Sequence, residues 1–93
     1  MPEGQLHVAI KGRVQGVGFR WFVVDAATRL DLAGWVRNRE DGAVEVHAAG
    51  NPEAVGKLET LVTKGPRGAS VERVVRLEPS SELRLERPFS VAR

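Results

Sequence analysis

The sequence predicts an α+β fold, because two segments of helical periodicity lie among four strand-like segments in the order β-α-β-β-α-β. That order is the split βαβ, or ferredoxin-like, sandwich, in which both helices cover one face of an antiparallel sheet of strand order 4-1-3-2. A short extra C-terminal strand is expected to follow. The chain of 93 residues is long enough for one modest core, so we expect residues 1–93 to form a single domain.

The first strand, a glycine-rich segment and the first helix follow one another at the start of the chain. The strand is predicted where apolar residues alternate with polar or small ones, at Leu6, Val8 and Ile10. Glycines then cluster within residues 12–18. Apolar residues recur at helical spacing over residues 19–30, which predicts a helix of about three to four turns that ends near Asp31 or Leu32.

The next two strands form a hairpin. Residues 35–37 and 44–46 flank the turn Glu40-Asp41-Gly42, whose Asp-Gly pair is typical of hairpin turns. Since a helix returns the chain between the first two strands, they run parallel, and their C-terminal ends share one edge of the sheet about 10 Å apart. The glycine-rich segment leaves the first strand at that edge, and residues 37–39 end the second strand there. We therefore expect these two polar clusters to meet.

The second helix has clear start and stop signals. Asn51 is its expected N-cap, Pro52 its first residue, and Gly65-Pro66 ends it. Its apolar stripe is predicted at Val55, Leu58, Leu61 and Val62. The fourth strand is predicted to carry Val71, Val75 and Leu77 on one face and Glu72 and Arg76 on the other. A turn at residues 78–82 and a short last strand at residues 89–91 complete the chain.

The composition excludes several kinds of catalytic chemistry. The chain has no cysteine, so a thiol nucleophile, a disulfide and a Cys-ligated metal site are excluded, and its 2 histidines cannot form a three-histidine metal site. Eleven of the 14 cationic residues are arginine, and a net charge of +2 points weakly to an anionic partner. The same bias is typical of a GC-rich or thermophilic source. No signal peptide or membrane span is evident, so we expect a soluble cytoplasmic domain.

The glycine-rich segment is suited to binding an anion. Glycines before a helix let backbone N–H groups turn toward one point, and the positive end of the helix dipole adds to the attraction. Arg20 lies in the first helical turn, where a cation opposes the dipole unless it binds the same anion. The alternative is a tight connection that needs glycine φ angles, with Arg20 simply solvated. ATP and dinucleotide motifs do not match, since no Gly-Lys-Ser or Gly-Lys-Thr occurs and Trp21 occupies the third glycine position of a G-x-G-x-x-G.

Two segments resemble the signatures of the acylphosphatase family. The stretch Gly12-Arg13-Val14-Gln15-Gly16-Val17-Gly18-Phe19-Arg20 is similar to the first signature, G-x-V-Q-G-V-x-F-R. The stretch Gly34-Trp35-Val36-Arg37-Asn38, followed by Gly42, Val44 and Gly50, is similar to the second. The similarity continues through Gly65-Pro66 and residues 71–74 and covers about residues 6–91. It implies hydrolysis of acyl phosphates on a ferredoxin-like fold, without metal or cofactor.

The resemblance also implies which residues act. Arg20 is similar to the family's phosphate-binding arginine and Asn38 to the asparagine that positions the attacking water, so these two are the expected catalytic residues. The remaining members of the phosphate-binding cradle would contribute their backbone: Gln15, Gly16, Val17, Gly18 and Phe19. The expected ligands are a small acyl phosphate and inorganic phosphate or similar anions. No metal site, nucleic acid or membrane partner is expected, and the expected state is a monomer.

Three features depart from the family's pattern. Asp31 stands where many members have a helix-ending glycine, and residues 89–93 lack the terminal aromatic residue of some members. Lys11 and Arg13 flank the loop, and no role is carried over to either. None of these features changes the residues expected to do the chemistry.

Alternatives are open for the function and for several side chains. An RNA-binding module shares this element order but stacks bases on aromatic residues in strands one and three, where none occurs here. A catalytically idle acylphosphatase-like domain is a second alternative, although a chain that stops where the domain stops, with both key residues present, favours an enzyme. His7 and His47 are expected at the surface rather than in a two-histidine metal site. Trp21 and Trp35 are expected to be packing residues rather than platforms on which bases stack.

Overall fold

The computed structural model describes residues 3–78, 80 and 83–92. Over these residues the elements are β1 (Gly4–Arg13), α1 (Phe19–Arg29), β2 (Ala33–Asn38), β3 (Val44–Gly50), α2 (Pro52–Lys64), β4 (Ser70–Arg76) and β5 (Ser90–Val91). The strands form a sheet of order β4-β1-β3-β2-β5, which confirms the predicted order and adds the extra C-terminal strand beside β2. None of the helices in the described ranges is long and apolar enough to cross a membrane.

The four predicted strands pair antiparallel as expected, and the extra last strand makes the five-stranded sheet mixed. β5 pairs in parallel with β2, at Trp35 with Ser90 and at Val36 with Val91. β1 pairs antiparallel with both β3 and β4. β4 and β5 lie at opposite edges of the sheet, so no tight hairpin joins β5 to the strand beside it. The connection from β4 to β5 therefore does not impose antiparallel pairing. The turn predicted at residues 78–82 lies partly outside the described residues.

The hydrophobic core lies between the helices and one face of the sheet. Its largest fully buried apolar side chains are Phe19, Leu6, Ile10, Leu32 and Leu58. α2 buries Val55, Leu58 and Val62, whereas Leu61 is exposed although it was predicted in the same stripe. Leu61 lies at the border of that stripe, so a helix that packs on one face leaves it in solvent.

The faces of β4 differ from the prediction because the strand contains a bulge. The pairing register between β1 and β4 shifts so that Glu72 has no partner in β1. Val71 therefore packs against the core together with Val74. Uninterrupted alternation placed Val71 on the face of Val75, and that prediction was wrong.

Asp31, after the C-terminus of α1, occupies the position where many sequences of the resembled family have a helix-ending glycine. The helix ends at Arg29 with Leu30 as its C-cap, slightly before the predicted end. Asp31 then has φ 57°, in the left-handed region where glycine is favoured and aspartate is tolerated. Arg87 stabilises this turn, because its Nε and Nη2 donate to the Asp31 carbonyl oxygen at 3.2 and 3.0 Å.

The start and stop signals of α2 act as predicted. The Asn51 side-chain oxygen accepts hydrogen bonds from the backbone N–H groups of Glu53 at 2.9 Å and Ala54 at 3.4 Å. The helix ends at Lys64, and Gly65 follows with φ 77°. The cap therefore satisfies two of the N–H groups that the first turn leaves without helical partners.

We expect Gly56→Ala to raise the free energy of unfolding by about 1 kcal/mol, because alanine loses less conformational entropy than glycine in a helix. Gly56 is exposed on α2, and a Cβ there would meet no atom within 4 Å. Gly34→Ala is the control that should lower the free energy of unfolding, since Gly34 has φ +137° and a Cβ there would lie 2.0 Å from the His47 carbonyl oxygen. Urea denaturation measures both changes. A Gly56→Ala variant no more stable than the wild type would contradict the expectation.

Candidate active site

The loop between β1 and α1 has a backbone conformation suited to an anion. Gly16 has φ 77° and Gly18 has φ 78°, both in the left-handed region. A Cβ at either position would meet no atom within 4 Å, so the backbone conformation rather than crowding accounts for glycine here. Left-handed residues that alternate with right-handed ones are the arrangement in which successive backbone N–H groups converge on an anion.

α1 begins directly after this loop and leaves its first amides without helical partners. Gly18 is the N-cap, no side chain caps this end, and the first turn contains no acidic residue. Phe22 donates its N–H to the Gly18 carbonyl, so the amides of residues 19–21 precede the helical hydrogen-bond series. Together with the positive end of the helix dipole, these amides form a site for an anion.

The loop, the first turn of α1 and the end of β2 enclose a pocket of about 180 Å³. Its lining residues are Val14, Gly16, Gly18, Phe19, Arg20, Trp21 and Asn38. Arg20 and Asn38 come from different elements and share this cavity. The polar clusters expected at the shared edge of the first two strands therefore lie together.

Arg20 has no competing partner in the part of the chain that the structure describes. It is exposed in the first turn of α1 and takes part in no hydrogen bond or ion pair there. Arg29, at the other end of the same helix, instead pairs with Asp25 at 3.2 Å. The guanidinium fork of Arg20 is therefore available to a ligand, and a bound anion would offset its unfavourable position at the positive end of the dipole.

Two residues of the predicted cradle do not line the pocket. Gln15 directs its side chain to the β2–β3 hairpin, where Nε2 donates to the carbonyl oxygens of Arg39 and Ala43. Val17 packs against the hydrophobic core. The resemblance assigned only the backbone of these two residues to phosphate binding, and their side-chain positions do not test that assignment. It therefore stays a prediction.

The structure adds a pocket residue that sequence reasoning missed. Trp21 was predicted to be a packing residue, but it is 71% exposed and lines the pocket next to Arg20, so that prediction was wrong. The signal was present in the helical periodicity. The buried residues of α1 are Phe19, Val23, Ala26 and Ala27, and Trp21 lies away from that face.

The two histidines lie on the face of the sheet opposite the helices, and the surface prediction was wrong for both side chains, since that of His7 is only 8% exposed. His47 is only 1% exposed, because its ring stacks on that of His7 at a centroid distance of 4.1 Å and contacts the Trp35 ring edge-on. Trp35 is buried there, so its predicted packing role is confirmed. Both ring nitrogens of His7 are engaged, by Glu78 at 2.7 Å and by Glu45 at 2.6 Å, which argues against a two-histidine metal site.

Glu45 is a buried carboxylate on this open face, near the hairpin end of β3. Its oxygens accept from His7, from Arg37 Nε at 3.0 Å and from Arg39 Nη1 at 3.5 Å. Burial raises the pKa of Glu45, but the hydrogen bonds with His7 and Arg37 outweigh burial and leave the pKa below its usual range. The charged carboxylate therefore holds both arginines beside Asn38, where they line a second, shallower concavity of about 480 Å³.

We expect the free energy of unfolding to fall as the pH decreases below about 6.5, by at most about 1.4 kcal/mol per pH unit from one histidine. Burial lowers the pKa of His47 and the neighbouring His7 lowers it further, with Glu45 opposing. The unfolded chain therefore takes up a proton in a range where the folded chain does not. His47→Phe, which keeps an aromatic ring for stacking, should flatten this dependence. Urea denaturation at pH values of about 5 and 7.5 measures it, and an unchanged slope would contradict the assignment.

Comparison with known proteins identifies the family. A model of the acylphosphatase family matches residues 6–91. The chain belongs to the acylphosphatase family. An acylphosphatase of Bacillus velezensis is 44% identical over 88 residues, which are 95% of this chain and 97% of that one. An acylphosphatase of Koribacter versatilis is 57% identical over 65 residues, which are 70% of this chain and 59% of that one.

The same likeness extends to solved structures. The crystal structure of an acylphosphatase from Bacillus subtilis matches with a TM-score of 0.83 at 38% identity, covering 96% of this chain and 98% of that one. The family and the ferredoxin-like fold expected from the sequence are therefore confirmed. Membership also supports hydrolase activity of the acylphosphatase type over the alternative readings. The roles of Arg20 and Asn38 rest on the signatures and on the pocket that these residues share.

Proposed function

We propose that this chain hydrolyses the carboxyl–phosphate bond of acyl phosphates to a carboxylate and inorganic phosphate, by in-line attack of water and without a metal ion. The observation that carries the proposal is the shared pocket, where Arg20 and Asn38 lie beside the unpaired amides of the α1 N-terminus. The site thus combines donors for phosphoryl oxygens with a neutral amide that can hold water.

Arg20 and the backbone of residues 15–19 hold the phosphoryl group. A guanidinium fork binds two phosphoryl oxygens at once, and the loop amides meet the remaining charge. Because these donors stand ready before the reaction, they stabilise charge that develops on the phosphoryl oxygens without reorganisation.

Asn38 orients the attacking water behind phosphorus. The new bond joins the water oxygen to phosphorus, and the broken bond joins phosphorus to the carboxyl oxygen. One water proton stays on the attacking oxygen and the other passes to a phosphoryl oxygen, so the products are dihydrogen phosphate and a carboxylate. Since a carboxylate leaves as an anion at neutral pH, the reaction needs no strong general acid.

Hydrolysis of benzoyl phosphate and acetyl phosphate, with and without EDTA, tests this function. We expect turnover well above the buffer rate and no change with EDTA. Turnover at the buffer rate would refute the proposed enzymatic activity and favour the catalytically idle domain. Calorimetry would then show whether that domain still binds inorganic phosphate. Loss of turnover with EDTA would refute the metal-free mechanism.

An RNA-binding function is not favoured by the open face of the sheet. That face carries the buried Glu45 carboxylate on β3 and the His7–His47 stack, in place of the exposed aromatic residues on which such modules stack bases. The monomeric state, the cytoplasmic location and the absence of nucleic acid partners stay predictions. Size-exclusion chromatography with light scattering tests the first of them.

A further inference from the structure

We propose that the side chain of Gln15 is a positioning residue for Asn38, an assignment that rests on the proposed function. Gln15 Nε2 donates to the carbonyl oxygens of Arg39 and Ala43, at 2.9 Å in each case. Both acceptors belong to the base of the hairpin between β2 and β3. One side chain therefore fastens the anion-binding loop to the hairpin that carries Asn38.

The two carbonyl groups lie at the level of Asn38 and not at the tip of the hairpin. Arg39 directly follows Asn38, and Ala43 directly precedes Val44, which is the pairing partner of Asn38 in β3. The two bonds from Gln15 therefore reach the two turn residues that directly flank this pair. They set the separation between the loop and the end of β2.

The hairpin closes through bonds of its own. Arg39 donates its N–H to the Ala43 carbonyl at 2.8 Å, and Gly42 donates its N–H to the Arg39 carbonyl at 3.2 Å. Asp41 also accepts from the Ala43 N–H at 3.0 Å. Each of the two carbonyl oxygens has a second lone pair, and this is what Gln15 uses. The Gln15 bonds therefore join the hairpin to the loop and are not required to form the turn.

The side chain of Gln15 acts on the reaction through position alone. It does not line the pocket, and both N–H bonds of its carboxamide are used on the hairpin. In-line attack requires a fixed distance between the water on Asn38 and the phosphoryl group on the loop, and a misplacement of about 1 Å can cost about 10²-fold in rate. The Gln15 side chain thus aligns the anion-binding loop with Asn38 at the end of β2.

The test compares kcat with phosphate binding in Gln15→Leu, which removes both bonds at similar volume. We expect kcat for benzoyl phosphate to fall about 10-fold or more, while the inhibition constant of inorganic phosphate changes less than about 3-fold, because in the proposed function the loop and Arg20 hold the phosphate. Gln5→Leu is the matched control, since Gln5 is exposed on β1 and is the other glutamine of the chain. It should keep wild-type values.

A double-mutant cycle separates positioning from a general structural effect. In an Asn38→Ala background, Gln15→Leu should lower kcat less than about 2-fold, because the group that it positions is gone. An equal loss in both backgrounds, an unchanged kcat, or a parallel loss of phosphate inhibition would overturn the inference. If Gln15→Leu does not fold, Gln15→Glu removes the same two donors and enters the same cycle. Wild-type protein without turnover would overturn the proposed function as well, whereas turnover with additive losses overturns only this inference.

Discussion

Replacing Arg20 with lysine should lower kcat for acyl phosphate hydrolysis by about 10² to 10³, although the charge is retained. Lysine presents a compact ammonium group that cannot bind two phosphoryl oxygens with the planar geometry of guanidinium. Arg20 is exposed and has no partner within the described ranges, so the fold should not depend on it. Steady-state kinetics with benzoyl phosphate, and a thermal unfolding curve that matches the wild type, check both parts.

Arg29→Lys is the matched control for this loss. Arg29 lies in the last turn of the same helix, and its side chain is 79% exposed in a surface ion pair with Asp25. Exposed pairs of this kind contribute little to stability, so the variant should keep wild-type kcat and unfolding. If Arg20→Lys also retained wild-type turnover, the guanidinium would have no special role in the site.

Asn38→Ala should lower kcat by about 10² to 10³ and leave inhibition by inorganic phosphate nearly unchanged. The asparagine ends β2 and lines the same pocket as the loop, so in the proposed function its amide holds water while the loop and Arg20 hold phosphate. The split between kcat and the phosphate inhibition constant is the informative measurement. Parallel losses in both would indicate that Asn38 binds the phosphoryl group and does not orient water.

Asn51→Ala provides the reciprocal control, because Asn51 is the other asparagine of the chain. Its side chain caps α2 through the N–H groups of Glu53 and Ala54, far from the chemistry. Removing such a cap costs about 0.5 to 2 kcal/mol of stability, so this variant should unfold more easily with unchanged kcat. The two asparagine variants therefore separate catalysis from stability.

Local signals were enough to predict most of the elements and the candidate site. The cap at Asn51, the Asp-Gly turn and the alternation of Leu6, Val8 and Ile10 depend on residues close in sequence. The meeting of Arg20 and Asn38 followed from topology, since a helix between two strands brings their ends to one edge of the sheet. The signatures of the family then supplied the roles that the geometry alone does not assign.

Side chains on the open face of the sheet could not be placed from the sequence. His47 is polar and falls in the outward register of β3, so alternation predicts exposure. It is buried because His7 and Trp35 arrive from the two neighbouring strands and cover it. The bulge at Glu72 is a second case, because alternation within β4 does not reveal a shift in its pairing with β1.

Sequence patterning was sufficient to predict the fold class, the family and the candidate pair Arg20 and Asn38, because each depends on local periodicity or on a motif of defined spacing. Three-dimensional packing alone established the exposed position of Trp21 beside the pocket and the bridge from Gln15 to the hairpin. The physical reason is that the contacts of a side chain across a sheet or a loop are made with residues distant in sequence. No pattern within a single segment encodes those neighbours.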